Sequence, residues 1–275
     1  MEHNPQDRTN RAWYARPGSI AGMARDEGFS DAGERAAYER VAPEVRQRPI
    51  LDLGVGAGRT VALLRALSTD YLGLDYLPPM LEAARARHPE ADLRLGDARD
   101  LSALPADHFA LVVFSCQGLD SVDHADRHLV LEQVWRVLAP GGVFWFSTLN
   151  RDGPAARYRP WRPLPSPPPE GHGLMPALAA RARAWLRVPL HMRRYRRGMA
   201  LAQAGEDWAV APFFPGGWQL LAHYTTLAGL ERELTHAGFL AGLDVYEDAF
   251  GRRLQADDDL QPVFCFNVLA RKPAG

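Results

Sequence analysis

Apolar positions along residues 49–150 fall into short, nearly continuous runs separated by stretches of helical spacing, which predicts strands and helices alternating around a parallel sheet. The predicted strands are PILDL (49–53), YLGLD (71–75), DLRLG (92–96), FALVVFS (109–115) and VFWFSTL (143–149). FALVVFS is apolar at almost every position, as a strand covered on both faces should be. Helices are expected from about Arg59 to Leu67, from Pro78 to Arg87 and from Asp126 to Leu138. Pro78 and Pro79 suit a first helical turn, where no amide partner is lost, and Pro140-Gly141-Gly142 ends the third helix.

Past Asn150 the rhythm breaks. Eight prolines between Pro154 and Pro176 are too many for a helix or a central strand, so a crossing loop is expected there. Residues 177–205 regain helical spacing and carry seven arginines between Arg181 and Arg197. A helix at about Thr226–Ala237, closed by Gly238, and two strands at roughly 240–247 and 262–270 complete the pattern. Four regions follow: an N-terminal helical lid (1–48), a core (49–150), a Pro-rich and Arg-rich insertion (151–222), and a C-terminal return to the core (223–275).

Composition keeps this within ordinary globular proteins. The 275 residues are 47% hydrophobic and 24% charged, which excludes a disordered or collagen-like chain and leaves room for one large α/β unit with an insertion. With 32 basic against 33 acidic residues the net charge is −1, so attraction of the whole molecule to nucleic acid or an anionic membrane is not expected; only a local patch would provide it. No apolar window is long enough to span a bilayer and the N-terminus does not read as a signal peptide, so the expectation is a soluble cytoplasmic protein. Cys116 and Cys265 sit in apolar runs and read as small core residues. Lys272 is the one lysine, which together with abundant Ala and Pro points to a GC-rich bacterial genome.

The chemistry is concentrated at strand ends. Asp52-Leu-Gly54-Val-Gly56-Ala-Gly58-Arg59-Thr60 is a glycine-rich turn between a strand and a helix, where the backbone can approach a ligand without a Cβ in the way. Its spacing is G-x-G-x-G, with Arg59 where the dinucleotide fingerprint wants glycine, which disfavours a nicotinamide dehydrogenase. Asp75 ends the second strand, where a carboxylate can accept both hydroxyls of a ribose. Asp97 ends the third, where it can accept an adenine amino group while the next amide meets a ring nitrogen. An isolated Asp at such a place is as readily a cap or turn residue. Three features at successive strand ends mark an adenosyl ligand.

With these residues in view the sequence resembles the class I S-adenosylmethionine-dependent methyltransferases. The resemblance rests on DLGVGAGRT (52–60), YLGLDYLPPMLEAAR (71–85), LRLGDARDL (93–101), FALVVFSCQGLDSVDH (109–124), RVLAPGGVFWFST (136–148) and, more loosely, residues 222–272. It implies an α/β, Rossmann-like, doubly wound seven-stranded sheet with an antiparallel last strand and a lid insertion between strands 5 and 6. It also implies S-adenosylmethionine as cofactor, S-adenosylhomocysteine as product, and a methyltransferase activity. Gly54, Gly56 and Gly58 would adjoin the methionyl part, Asp52 its amino group, Asp75 and Tyr76 the ribose, Asp97 and Ala98 the adenine, and Ser115, Cys116 and Gln117 the side near the sulfonium.

Methyl transfer from a sulfonium is an in-line displacement on an activated donor, so positioning and exclusion of water supply most of what is needed, and a base only when the acceptor arrives protonated. His124, a short loop after the fourth strand, is the first candidate base; a solvated residue near a helix start is the competing reading. His223 and Tyr224 precede the last helix, where acceptor contacts occur in such enzymes. His124 and His128 stand four apart, but without a third ligand no metal is expected. Trp13 and Tyr14 would belong to the N-terminal lid, and Trp161, Trp185, Tyr195, Trp208, Phe213, Phe214 and Trp218 to a lid over a small-molecule acceptor, methylated at oxygen or nitrogen. The arginines of the insertion read as a solvated or oligomer-forming face, with a homodimer left open. RNA or protein methylation through them, or a non-catalytic binding partner that kept the fold, are the alternatives; nucleic acid is not the expected partner.

Overall fold

The computed structural model describes residues 4–162 and 182–275. Prolines 163–176 of the expected crossing loop and residues 177–181 of the basic stretch lie outside the described residues. The first three helices are α1 (Pro5–Tyr14), α2 (Pro17–Met23) and α3 (Ala32–Val45). The core then runs β1 (Ile50–Leu53), α4 (Val61–Arg65), β2 (Tyr71–Asp75), α5 (Pro78–Arg87), β3 (Asp92–Leu95), β4 (Phe109–Phe114), α6 (Arg127–Val137) and β5 (Leu138–Asn150). The insertion holds α7 (Pro154–Arg157), α8 (Val188–Met199), β6 (Gln203–Ala204), β7 (Trp208–Phe213) and the first half of β8 (Leu220–Thr225). The chain closes with α9 (Leu227–His236), β9 (Asp244–Glu247) and β10 (Cys265–Arg271).

Seven strands form the expected sheet, in the order β3-β2-β1-β4-β5-β10-β9, with β10 antiparallel to β5. Side chains alternate across it. From β4, Val112 and Phe114 pack with Val130, Leu131 and Val134 of α6 and Leu230 and Leu234 of α9. Leu111 and Val113 face the other way, toward Ala37, Val41 and Val45 of α3 and Leu64 of α4. Burial on both faces explains why these strands read as continuous apolar runs.

The structure departs from the sequence reading in four places. The sheet has ten strands among the described residues, because β6, β7 and β8 add to it. β8 runs parallel to the last two residues of β5, Leu149 and Asn150, and β7 pairs antiparallel with β8. LLAHYT (220–225) was missed because all six of its residues are buried, so no alternation marks it. β5 starts at Leu138 instead of Val143, with a bulge against β4 taking up Pro140-Gly141-Gly142. Pro154 does not open a loop but stands in the first turn of α7. The segment 1–48 is not all lid, since α3 is a core helix and only α1 and α2 lie at the cleft described below.

An N-terminal side chain closes the edge that β8 would otherwise leave open. Asn10 of α1 accepts from the Leu221 amide (2.9 Å) and donates to the Leu221 carbonyl (2.8 Å), as a neighbouring strand would. Leu221 therefore turns its backbone groups away from its partner Pro212 in β7, which has no N–H to offer.

Candidate active site

A cleft of about 1150 Å³, including its mouth, opens at the carboxyl ends of β1, β2, β3 and β4, where the strand order reverses. Gly54, Gly56, Asp75, Tyr76, Asp97, Ala98, Ser115 and Cys116 all line it, as does Tyr14 from α1.

The glycine turn is built from positive φ at Gly54 (62°), Gly56 (55°) and Gly58 (91°), which glycine alone adopts without strain. Their surroundings differ. A Cβ on Gly54 would stand 2.7 Å from the Phe114 ring and one on Gly58 2.7 Å from His88, whereas one on Gly56 would meet nothing nearer than 3.8 Å. Gly56 is the least crowded of the three and lines the cleft. Gly58 does not border the cleft; it lets the turn press on α5, where its carbonyl lies 2.9 Å from His88 Nε2.

Asp75 accepts the Gly56 amide and the Leu77 amide, each at 2.8 Å, so it fixes the turn while bordering the cleft. Burial raises its pKa, against the pull of those amides. Burial also opposes ionisation of Asp97, but Arg99 grips both of its oxygens, at 3.0 and 2.6 Å, and holds the carboxyl below its usual range. Arg99 reaches on to Asp126 (2.9 Å), and Arg11 of α1 lies 4.2 Å over the Tyr76 ring. Together they tie α1 to the rim.

Asp52 lies beneath the turn. It is 1% exposed, does not border the cleft, and accepts from the Thr60 and Tyr71 hydroxyls at 2.7 and 2.8 Å, while burial pushes its pKa up to about 6. Cys116 is a correction to the sequence reading of both cysteines as core: Cys265 is buried, but Cys116 is exposed. Cys116 and Gln117 both hold left-handed backbone, at φ 51° and 56°. Such conformations persist only where the surroundings impose them. Here Ser147 Oγ accepts the Gln117 amide at 2.8 Å and its side-chain amide at 3.2 Å, which turns Gln117 away from the cleft.

The expected acceptor-side residues gather elsewhere. His124 Nδ1 lies 3.0 Å from His223 Nε2, and Trp208 stacks on His124 with centroids 3.5 Å apart, so the two histidines do meet. Neither borders the cleft. Burial, then Arg127, lowers the pKa of both, that of His223 furthest, so both are neutral at pH 7. Tyr224 is buried against Leu149, Ala222 and Cys265. Trp13 packs edge-on against Tyr14 at 5.2 Å, and Trp218 packs against Tyr195, also at 5.2 Å; neither borders the cleft. Trp161 and Trp185 of the expected lid are exposed.

Sequence reading missed the pair beneath the site. Arg59 donates to both oxygens of Glu34, at 2.7 and 2.6 Å, and to Ser115 Oγ at 3.0 Å. It also missed Asp120, wholly buried after β4, which accepts from Thr148 Oγ1 (2.6 Å) and the Leu149 amide (2.7 Å), and whose pKa burial pushes up to about 7. No local spacing could have flagged either, because their partners come from distant segments. Among the described residues no group of three His, Cys, Asp or Glu is placed to hold a metal, and no helix is long and apolar enough to cross a membrane.

Residues 50–142 match the family model described as a methyltransferase domain. The trans-aconitate 2-methyltransferase of Methylobacterium radiotolerans is 38% identical over 119 residues, covering 42% of this chain and 44% of that protein. Among solved structures, the 1,6-didemethyltoxoflavin-N1-methyltransferase of Burkholderia thailandensis, with bound 1,6-didemethyltoxoflavin and S-adenosylhomocysteine, aligns over 99% of this chain and 92% of its own with a TM-score of 0.58 at 15% identity. An S-adenosylmethionine-dependent methyltransferase from Mesorhizobium loti aligns over 88% and 99%, with a TM-score of 0.56 at 22% identity. The chain spans about half the length of the curated relatives it matches. Residues 50–142 thus match a methyltransferase domain, and the fold of the described residues is like that of these S-adenosylmethionine-dependent methyltransferase structures.

Proposed function

We propose that the chain transfers a methyl group from S-adenosylmethionine to an oxygen or nitrogen of a small molecule. The observation that carries this is the cleft itself: Gly54 and Gly56 line it, and Asp7, Asp26, Asp75 and Asp97 outnumber its two arginines, one of which Glu34 already neutralises. Such a lining favours a cationic sulfonium. Asp75 and Tyr76 would hold the ribose, Asp97 and Ala98 the adenine, Gly54 and Gly56 the methionyl part, and Ser115 and Cys116 the side near the sulfonium. Asp52 would act through the turn it supports. When bound, the cofactor supplies a methyl group on a leaving group that needs no further activation.

The protein's part is to orient and to exclude water. Tyr14 and Met23 wall the cleft from the N-terminal side, and Tyr14 is held by Ser121 Oγ at 3.1 Å. Burial raises the Tyr14 pKa to about 12, so its hydroxyl stays neutral. The carboxylates of Asp75 and Asp97 are already engaged and the histidine pair stands apart from the cleft. The acceptor that suits such a site brings a free lone pair at neutral pH, as a carboxylate or an unprotonated ring nitrogen does, and needs no base.

Calorimetric titration with S-adenosylhomocysteine, with NADH as control, tests the reading. Saturable binding of the former alone is expected; binding of NADH, or of neither, would return the cleft to another ligand.

A further inference from the structure

Helix α8 carries an electrostatic asymmetry that the methyl-transfer site does not use. Residues 171–205 contain seven arginines and no Asp or Glu, while acidic residues outnumber basic ones over the rest of the chain. One side of the helix is committed to the protein: a Cβ on Gly198 would stand 2.6 Å from Pro212 Cγ, and Tyr195 meets Trp218. At 100° per residue, Leu190, Arg193 and Arg197 stand on the other side, and Leu186 lies just ahead of the helix. Leu186 is 79% exposed, Leu190 47% and the nearby Trp185 53%. Arg193, Arg196 and Arg197 are exposed and, with Pro189 and Met192, border one open groove. Among the described residues none of these three arginines is in an ion pair.

We propose that this face is a docking surface for an anionic lipid bilayer, with the helix lying flat, its arginines on headgroup phosphates and Leu186, Leu190 and Trp185 at the acyl boundary. Charge complementarity is the first argument, since a basic face on a molecule otherwise acidic meets a negative surface in one orientation. The apolar side chains are the second. Two exposed leucines and a tryptophan among arginines gain by leaving water at a bilayer interface, where the amphipathic indole is at home. A sugar-phosphate backbone offers leucine no comparable gain, which separates this surface from a nucleic-acid groove. The near-zero net charge of the chain hides the patch, because the compensating acids lie elsewhere.

Co-sedimentation of the full chain with vesicles of phosphatidylcholine, and of phosphatidylcholine mixed with phosphatidylglycerol, tests the proposal. Binding to the mixed vesicles alone, weakening with added salt, is the expected result. Arg193→Gln with Arg197→Gln should lower the partition coefficient about fivefold per charge removed. Leu186→Ser with Leu190→Ser, at unchanged charge, should also weaken it, while S-adenosylhomocysteine affinity reports that both variants are folded. Absence of vesicle binding, binding insensitive to the leucines, or preferential capture of a single-stranded RNA over the vesicles would each overturn it.

Discussion

The two flanks of β5 are held by different physics. On the β1–β4 side, charged groups are buried in pairs, Arg59 with Glu34 and Arg99 with Asp97, and the backbone is pinned by carboxylates that accept amides. On the β6–β8 side, ring-on-ring contacts such as Trp208 on His124 and Tyr195 on Trp218 join the buried Arg127–Glu233 pair, and Arg193, Arg196 and Arg197 of α8 face outward. Paired charges demand defined geometry because a broken pair leaves an uncompensated charge in the interior. Aromatic contacts tolerate sliding and re-orientation. The flank of paired charges, the more rigid of the two by this reasoning, is the one that borders the cleft; the other is formed by the three strands added beyond β5.

Substitutions can break this contrast, starting with the largest effect. Arg59→Met strands Glu34 and should cost about 3–5 kcal/mol in urea unfolding, much of it recovered when Glu34→Gln is added; a loss typical of a surface pair would remove the rigid flank's main support. Asp75→Ala leaves two amide donors without their acceptor and should weaken S-adenosylhomocysteine binding by roughly 2 kcal/mol or more, read by calorimetry. Unchanged affinity would sink the cofactor assignment.

Asp52 sharpens the comparison through pH. Its folded-state pKa of about 6 lies above the ordinary carboxyl value, so the native state holds its proton longer than the unfolded chain. Wild type should therefore lose stability relative to Asp52→Asn as pH rises from about 4 to 6, by on the order of 2 kcal/mol, and run parallel to it above pH 7. Melting curves across that range would show it, and parallel curves throughout would mean Asp52 is ionised like a surface carboxylate. The smallest effect belongs to the other flank: His124→Ala should leave S-adenosylhomocysteine affinity within about twofold, and a larger change would show that the flanks are coupled.

What the chain spelled out locally was legible in it. The glycine turn, Asp75 and Asp97 each sit where a strand ends, and a strand covered on both faces announces itself by its unbroken apolar run. β8 did not, because His223 and Thr225 are buried there beside Leu221 and Tyr224 and disguise it. Glu34, Asn10 and Asp120 were invisible for a different reason. Their partners Arg59, Leu221 and Thr148 lie far along the chain, and no periodicity records such a pairing. Cys116 misled because the apolar run ends at Phe114, two residues before it, and at Cys116 the backbone turns left-handed beside the cleft.

The bond between Asn10 and Leu221 has a consequence for the protein in concentrated solution. A stretch of strand with its amide and carbonyl turned outward is an invitation to any passing extended chain, and molecules so exposed can zip together edge to edge. Asn10 occupies that berth with a side chain that ends where it binds, so nothing can be added beyond it. One asparagine near the N-terminus thus gives the unpaired start of a sheet strand the partners that another strand would bring, in a sheet it does not belong to.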